Sequence, residues 1–165
     1  MIECFSSDRL DIRRIDICEP DLIDGVLKLL SVNVTMHLPD EWQKVDNLHK
    51  AKSWLEKRLM EGDVFSIYLT GQDEFVGLLF LYKFENDSGM YEVRIGYLIS
   101  EKFWGKGLGS ELISSLLLEL SKVHGVVSVV GGVNPDNIGS IKVLTKNGFQ
   151  LMERVNGAEL YEYKF

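Results

Sequence analysis

The chain has 165 residues, of which 45% are hydrophobic and 26% are charged, and its formal net charge at pH 7 is −7. These values are typical of one globular domain and exclude a disordered or fibrous chain. The acidic balance argues against a nucleic-acid partner, because binding a phosphate backbone requires clustered basic side chains.

The two cysteines, Cys4 and Cys18, are too few for a disulfide framework in a domain of this size. Neither belongs to a Cys-x-x-Cys or Cys/His pair with metal-ligand spacing, so the sequence predicts no metal site. No apolar run approaches the roughly 18 residues of a membrane span, and no secretory signal opens the sequence. We therefore expect a cytoplasmic protein without a membrane partner.

The first half of the chain predicts one strand and two helices. Residues 9–15 alternate apolar and polar side chains, as a strand does. A proline opens an amphipathic helical segment over 20–31, residues 32–44 are predicted to form a loop, and a second helix is predicted near 46–61. The apolar side chains expected to be buried on the second helix are Leu48, Ala51, Trp54, Leu55 and Leu59.

The apolar period then changes from about 3.6 to 2, which indicates strands. Three strands are predicted over 64–70, 74–84 and 90–100, and the segments between them have hairpin-turn composition. A glycine-rich loop at 105–109 follows, and an amphipathic helix is predicted from this loop to about residue 124.

The last part of the chain predicts a parallel strand, a short helix and a hairpin. Residues 126–133 are apolar without alternation, so we expect a strand buried on both faces and parallel to strand 90–100. A short helix is predicted over 138–147, and Asn156 with Gly157 predicts the turn of a final hairpin.

This order, β-α-α-β-β-β-α-β-α-β-β, predicts an α+β fold in three α/β/α layers. About four helices are expected to cover a mixed, mostly antiparallel, seven-stranded twisted sheet. No linker or internal repeat divides the sequence, so residues 1–165 are expected to form a single domain. The exposed final hairpin could pair with a second copy, and either a monomer or a homodimer is expected.

Three glycines, Gly105, Gly107 and Gly109, stand where a helix must begin. A helix N-terminus exposes unpaired amides and the positive end of the helix dipole, so it attracts anions. Glycine lets a phosphate approach the backbone and permits a positive φ, although the same residues could serve a tight turn alone. The Walker loop does not fit, because no Gly-Lys-Ser/Thr tripeptide occurs. The dinucleotide fingerprint fails because Ser110 takes its last small position and VVSVV stands where an acidic residue is required.

The segment from Gly96 to Phe149 resembles the GNAT superfamily of acetyl-CoA-dependent N-acetyltransferases. WGKGLG at 104–109 matches the family's [QR]-x-x-G-x-[GA] loop, with Trp104 in the Gln or Arg position. IGYLISEKFWGKGLGSE and NPDNIGSIKVLTKNGF are similar to the RimJ/RimL branch of ribosomal-protein alanine acetyltransferases. SDRLDIRRI also resembles the opening T-x-R-L-x-L-R of that branch.

The resemblance implies that acetyl-CoA is the acetyl donor. Its diphosphate is expected on the amides of residues 104–110. The pantetheine arm is expected beside strand 90–100, paired with the backbone of Leu98, Ile99 and Ser100 like an added strand. The cofactor-binding residues that the resemblance implies are Leu98, Ile99, Ser100, Trp104, Gly105, Lys106, Gly107, Leu108, Gly109, Ser110, Asn134, Asn137 and Ser140. Lys142 is a further candidate for an adenosine-side phosphate, with a solvated helix face as the alternative.

Acetyl transfer to an amine requires a proton acceptor, because only the neutral amine attacks a thioester. Glu92 lies close to where many GNAT enzymes carry a carboxylate base, and a surface pair with Arg94 is the structural alternative. Ser140 is the candidate proton donor near the thioester sulfur, with packing against the sheet as its alternative. Leu144 stands where many members carry a tyrosine acid, so that donor is absent here.

The resemblance places the acceptor pocket at Met36, His37 and Trp42, and His37 is a second candidate base. A backbone N–H near Leu98–Ile99 could stabilise the oxyanion. We therefore expect an N-acetyltransferase acting on a primary amine of a protein N-terminus or a small molecule. The alternatives are a catalytically silent CoA-binding module and, less well supported, a nucleotide-binding α/β domain of another type.

Overall fold

The computed structural model of the chain describes residues 2–16 and 18–165. The strands in these residues are β1 (Cys4–Ser6), β2 (Leu10–Arg14), β3 (Asp63–Leu69), β4 (Glu74–Glu85), β5 (Tyr91–Ile99), β6 (Val126–Val133), β7 (Gln150–Val155) and β8 (Ala158–Lys164). The α-helices are α1 (Pro20–Leu29), α2 (Val32–Thr35), α3 (Leu48–Glu61), α4 (Leu108–Leu120) and α5 (Ile138–Lys146). Short 3-10 helices cover Asp40–Trp42 and Glu101–Phe103.

All eight strands form one sheet in the order β1-β2-β3-β4-β5-β6-β8-β7. Only the β5–β6 pair is parallel, which confirms the mixed, mostly antiparallel sheet and the crossover through α4. The final hairpin is also confirmed. Its turn residues Asn156 and Gly157 have φ values of 49° and 80°, as a two-residue turn with a left-handed backbone requires.

The predicted count of seven strands is wrong, because β1 adds an eighth. This strand has three residues and pairs with β2, and Phe5 at its centre is buried. A strand of this length has too few positions for an alternating pattern to be visible in the sequence.

Two differences concern the helices. The predicted loop over 32–44 contains the one-turn helix α2, which begins after Ser31 because the Ser31 side chain accepts a hydrogen bond from the Val34 amide. Leu48, predicted to be buried, is 52% exposed. It is the first residue of α3 and belongs to neither apolar core, and Arg58 takes a buried position on this helix instead.

The sheet separates two apolar cores, as the three-layer prediction requires. The larger core packs α4 and α5 against one face, and the smaller core packs α1 and α3 against the other. Along β5 the side chains alternate between them, since Ile95 belongs to the first core and Leu98 to the second. β5 therefore meets both layers, as β3 and β4 also do.

Candidate active site

The central strands β5 and β6 separate at one end. They pair from Tyr91 opposite Val126 to Ile95 opposite Gly131. Beyond this point β5 stays paired with β4 as far as Ile99, while β6 stays paired with β8 as far as Val133. The result is a gap in the middle of the sheet, with the end of β5 as one of its edges.

Backbone alternation decides which residues of β5 face this gap. The Tyr91 amide donates to the Gly125 carbonyl at 2.7 Å, on the β6 side, and the Ser100 amide donates to Val76 on β4 at 2.9 Å. Because these directions alternate along a strand, the peptide groups of Tyr97 and Ile99 face the gap. The expectation that Leu98 and Ser100 also pair there through their backbone is therefore corrected, since their peptide groups face β4.

Gly77 on β4 lies against the same part of β5. A Cβ atom at this position would lie 1.9 Å from the carbonyl oxygen of Leu98. Only glycine lets the two backbones approach so closely, and this approach positions the last residues of β5 at the gap.

The glycine loop meets the gap from the side of α4. Gly105 and Gly107 have φ values of 72° and 78°, in the left-handed region that favours glycine. Gly109 has a different role, because a Cβ atom there would lie 3.3 Å from the Val143 side chain on α5. Gly107 is the N-cap of α4 and makes no side-chain capping bond, so the first amides of this helix have no capping partner.

A cavity of about 850 Å³ joins the gap, the glycine loop, the start of α5 and the segment after α1. It collects most of the residues predicted for the site. The predicted residues that line it are Met36, His37, Trp42, Leu98, Ile99, Trp104, Gly105, Gly107, Leu108, Gly109, Ser110, Asn134, Asn137, Ser140 and Lys142.

Three predicted residues do not line this cavity. Glu92 lies in the paired part of β5, where its carboxylate accepts a hydrogen bond from Arg94 at 2.8 Å, so the geometry favours the structural alternative. Lys106 places its Nζ 5.4 Å from the centroid of the Phe103 ring. Ser100 bonds to β4, as described above. A catalytic role for Glu92 stays a prediction that the geometry does not support.

Ser140 is held at the cavity by two hydrogen bonds. Its amide donates to Oδ1 of Asn137 at 3.1 Å, which caps α5, and its hydroxyl accepts from the Tyr97 hydroxyl at 3.2 Å. Burial raises the pKa of Tyr97 to about 12, although the bond to Ser140 opposes this shift. Tyr97 therefore remains a protonated donor at neutral pH. Sequence reasoning missed this residue, although alternation along β5 places it on the face that α5 covers.

Trp104 connects the glycine loop to the edge of the gap. Its indole Nε1 donates to the Ile99 carbonyl at 2.7 Å, and about half of the side chain remains exposed at the cavity. The aromatic residue in the Gln or Arg position of the motif thus anchors the loop to β5.

Two lysines of α5, Lys142 and Lys146, line the cavity one turn apart and are exposed. In the described part of the chain no carboxylate forms an ion pair with either. Lys146 was not predicted, although its i,i+4 spacing from Lys142 places both on one face of the helix. The pair can provide positive charge beside a bound anion.

The opposite side of the cavity contains Met36, His37 and Trp42, which were predicted to form the acceptor pocket, and we name it the acceptor wall after that prediction. It consists of Asn33, Val34, Met36, His37, Leu38, Pro39 and Trp42. The Trp42 ring packs edge-on against Trp54 and Phe80, with centroids 5.3 Å away in both cases. Behind it, the guanidinium of Arg58 lies 4.5 Å from the ring centroid. The Arg58 side chain is only 1% exposed, so the acceptor wall is supported by a buried cation that sequence reasoning missed.

A hydrogen-bonded link closes one end of the acceptor wall. The Glu101 carboxylate, just after β5, accepts hydrogen bonds from the Ser31 hydroxyl and from Nδ2 of Asn33. These bonds hold the pKa of Glu101 below its usual value. The segment that carries the acceptor wall is thus tied directly to the end of the strand that borders the gap.

Residues 2–16 and 18–165 contain neither a membrane-spanning helix nor a cluster of metal ligands. No helix there is both long and apolar enough to cross a bilayer. No group of three or more His, Cys, Asp and Glu side chains there could hold a metal ion.

Comparison of the sequence with known proteins finds an acetyltransferase family and N-acetyltransferase relatives. Residues 9–150 match the family model of the acetyltransferase (GNAT) domain. The uncharacterized N-acetyltransferase p20 of Bacillus licheniformis is 25% identical over 157 residues, which cover 90% of this chain and 83% of that protein.

Solved structures with the same fold cover almost the whole chain. A GNAT-family acetyltransferase from Bacillus anthracis has a TM-score of 0.81 at 19% identity, and the match covers 98% of both chains. RimL, a ribosomal L7/L12 alpha-N-protein acetyltransferase in complex with coenzyme A, has a TM-score of 0.79 at 22% identity with the same coverage. Because the family model covers most of the sequence and the fold agrees along its length, this chain belongs to the GNAT family of acetyltransferases.

Proposed function

We propose that this acetyltransferase transfers an acetyl group from acetyl-CoA to a primary amine, carried by a protein N-terminus or by a small molecule. One observation carries the proposal: a single cavity joins the gap in the sheet to the uncapped start of α4 and to the acceptor wall. A donor bound along the gap would therefore reach an acceptor held against Trp42. The reaction would occur where β5 and β6 separate.

The residues around the gap fit the parts of acetyl-CoA, which supplies an acetyl group activated as a thioester. Free amides at Gly107 and in the first turn of α4 suit the diphosphate. The Tyr97 carbonyl and the Ile99 amide suit the amides of the pantetheine arm, which would pair with β5 as an added strand does, whereas the Ile99 carbonyl already accepts from Trp104. Lys142 and Lys146 suit a further phosphate. The cavity volume lies within the range of small-molecule sites, about 300–1,000 Å³.

The proton and charge requirements of the transfer can be assigned to groups at the gap. The Tyr97 amide faces the gap close to the point where the strands separate, and it can donate to the carbonyl oxygen as it becomes negative. Ser140 already accepts a hydrogen bond from Tyr97, so its own hydroxyl proton is free to point into the cavity, towards a departing sulfur. On the acceptor wall His37 is the only ionisable side chain among the described residues, and it is the candidate base.

The acceptor wall also limits which amines it suits. No described residue of this wall carries a carboxylate, and the Glu101 carboxylate at its end is already bonded to Ser31 and Asn33. The other carboxylate of the cavity lining, Asp136, precedes α5, so a polyamine or other polycation would find little counter-charge on the wall itself. Apolar side chains and an indole ring suit an amine that stands next to apolar groups. A protein N-terminus meets this description, and the RimL structure with the same fold is by its name an alpha-N-protein acetyltransferase.

The test combines purified protein, acetyl-CoA and a panel of acceptors, namely peptides with different N-terminal residues, single amines and spermidine. Thiol release measures turnover, and mass spectrometry locates the acetyl group. We expect N-terminal acetylation of peptides with small or apolar first residues, and at least tenfold slower turnover of spermidine. Tight CoA binding without turnover of any amine would favour the silent CoA-binding module. Absence of CoA binding would refute the proposal.

A further inference from the structure

Arg9, just before β2, connects the N-terminal segment to the glycine loop. Its Nη1 donates to the Lys106 carbonyl at 3.0 Å, and its Nε donates to Oε2 of Glu111 at 2.7 Å. The Arg9 amide also donates to Oε1 of the same carboxylate at 2.8 Å. One side chain therefore holds both the centre of the loop and the first turn of α4.

The contact with Lys106 determines the direction of a peptide group. In a trans peptide the C=O and the following N–H point in opposite directions. Arg9 holds the Lys106 carbonyl on its own side of the loop, so the Gly107 amide must point the other way. Gly107 lines the cavity, and this orientation directs its N–H into the proposed diphosphate site.

The loop needs such a restraint because of its glycines. Rotation of the peptide between Lys106 and Gly107 changes ψ of the first residue and φ of the second, and glycine tolerates either sign of φ. A rotated peptide would present a carbonyl oxygen, instead of an amide, to a bound anion. The Arg9 guanidinium has only hydrogen-bond donors, so it favours the orientation in which the Lys106 carbonyl oxygen points towards it.

Glu111 holds Arg9 in place. Its carboxylate accepts from the Ser7 hydroxyl at 2.6 Å in addition to the bonds from Arg9. Burial by itself would raise the pKa of Glu111, but these hydrogen bonds hold it below its usual value, so the carboxylate is ionised at neutral pH. Arg9 thereby also neutralises a negative charge in the first turn of the helix that would receive the diphosphate.

We propose that Arg9 is a positioning residue for the diphosphate: it fixes the Lys106–Gly107 peptide so that the Gly107 amide faces the bound anion, and Glu111 fixes Arg9. This inference rests on the proposed function only in its assumption that CoA binds at the glycine loop. It assigns a function to the SDRL segment at 7–10, which the cavity itself does not include.

The test compares a donor that has the diphosphate with one that lacks it. Calorimetry measures the Kd of CoA and of pantetheine for the wild type, Arg9→Ala and Arg9→Lys, and kinetics with acetyl-CoA and S-acetyl-pantetheine follow. Arg13→Ala is the matched control, because Arg13 lies on β2 and pairs with the exposed Asp73, away from the loop.

We expect Arg9→Ala to raise the Kd of CoA and the KM of acetyl-CoA about tenfold, because this is the effect of losing one hydrogen bond with a charged group. The value of kcat should stay within twofold. Values for pantetheine and S-acetyl-pantetheine should stay within twofold. Arg9→Lys should fall between wild type and Arg9→Ala, because one ammonium cannot bond to the carboxylate and the carbonyl with the geometry of the guanidinium fork. Arg13→Ala should change neither donor.

Equal losses for both donors would overturn the inference and leave Arg9 with a general structural role. Unchanged CoA affinity in Arg9→Ala would also overturn it. The proposed function fails separately, if the wild type binds CoA but acetylates no amine, and the Kd comparison would still decide the role of Arg9. An NMR shift of the Gly107 amide on addition of CoA, present in the wild type and lost in Arg9→Ala, would support the inference directly.

Discussion

Gly77 offers the sharpest test of how the gap is built. In Gly77→Ala the new Cβ atom would lie 1.9 Å from the Leu98 carbonyl oxygen, whereas Cβ contacts below 3.0 Å are essentially never seen. The carbonyl oxygen belongs to the backbone and the position of Cβ is fixed by it, so neither atom can rotate away. The two strands must therefore separate by about 1 Å at this point, and overpacking of this kind costs about 1–3 kcal/mol.

We take the upper end of this range, about 3 kcal/mol, because β4 and β5 lie at the centre of the sheet. In a domain of this size 1 kcal/mol corresponds to about 2–4 °C, so Tm should fall by about 6–12 °C. The displaced peptide lies next to Ile99, which faces the gap, so CoA affinity should fall about tenfold, the effect of losing one hydrogen bond.

Thermal unfolding and calorimetry with CoA measure both effects. Gly96→Ala is the control for stability, because its Cβ atom would lie 3.6 Å from the Phe80 ring, an ordinary contact, on the strand next to Gly77. Its Tm should change by less than about 3 °C, the equivalent of 1 kcal/mol. A Gly77→Ala protein with unchanged Tm and unchanged CoA affinity would show that close approach of β4 does not position the end of β5.

Tyr97→Phe removes the hydrogen-bond donor to Ser140 and should lower kcat about tenfold, while KM for acetyl-CoA stays within twofold. Adding Ser140→Ala to Tyr97→Phe should lower kcat little further, and steady-state kinetics of the double variant measures this. Because the pKa of Tyr97 is raised to about 12, the activity of the wild type should show no loss from ionisation of this hydroxyl as pH rises to about 10, and a tyrosinate titration near pH 8 would contradict this. The double variant Lys142→Ala, Lys146→Ala should weaken CoA about tenfold and dephospho-CoA less than threefold, and equal losses in calorimetry would exclude a phosphate contact. The pKa of Glu111 is lowered by folding, so the ionised carboxylate stabilises the folded protein fully above the usual pKa of 4.5, and this stabilisation is lost as pH falls through the lowered pKa. Between pH 6 and pH 3, Tm should therefore fall more steeply for the wild type than for Glu111→Gln. Parallel curves of Tm against pH would refute this coupling.

Much of the architecture could be predicted from local patterns. Changes of apolar period located the strands and helices, and the apolar run over 126–133 correctly predicted a parallel neighbour for β5. The glycines at 105 and 107 do adopt a left-handed backbone, the conformation that glycine permits at such a loop. These signals lie within a few residues of the features they predict, which is why sequence alone contained them.

The parts that could not be predicted depend on where strands separate and on contacts between distant segments. The resemblance placed Glu92 close to a catalytic position but could not reveal that the gap opens only beyond Ile95, so Glu92 lies in the paired region. The bond between Tyr97 and Ser140 joins residues that no periodic pattern connects, as does the bond between Arg9 and Glu111. Charged residues at a helix end are usually solvated, and no local signal indicated a buried cation at Arg58.

The two apolar cores on opposite faces of the sheet support different sides of the cavity. Phe103, Leu108 and Leu144, which line the proposed donor side of the cavity, belong to the core under α4 and α5, whereas Val34, Leu38 and Trp42 of the acceptor wall pack on the core under α1 and α3. The two sides meet only through the sheet, where β3, β4 and β5 each contribute side chains to both cores, so substitutions among the cavity-lining residues of one side need cause little strain in the other. On the proposed assignment of donor and acceptor sides, a lineage with this architecture could change its amine preference through substitutions at residues 31–45 while donor binding is retained.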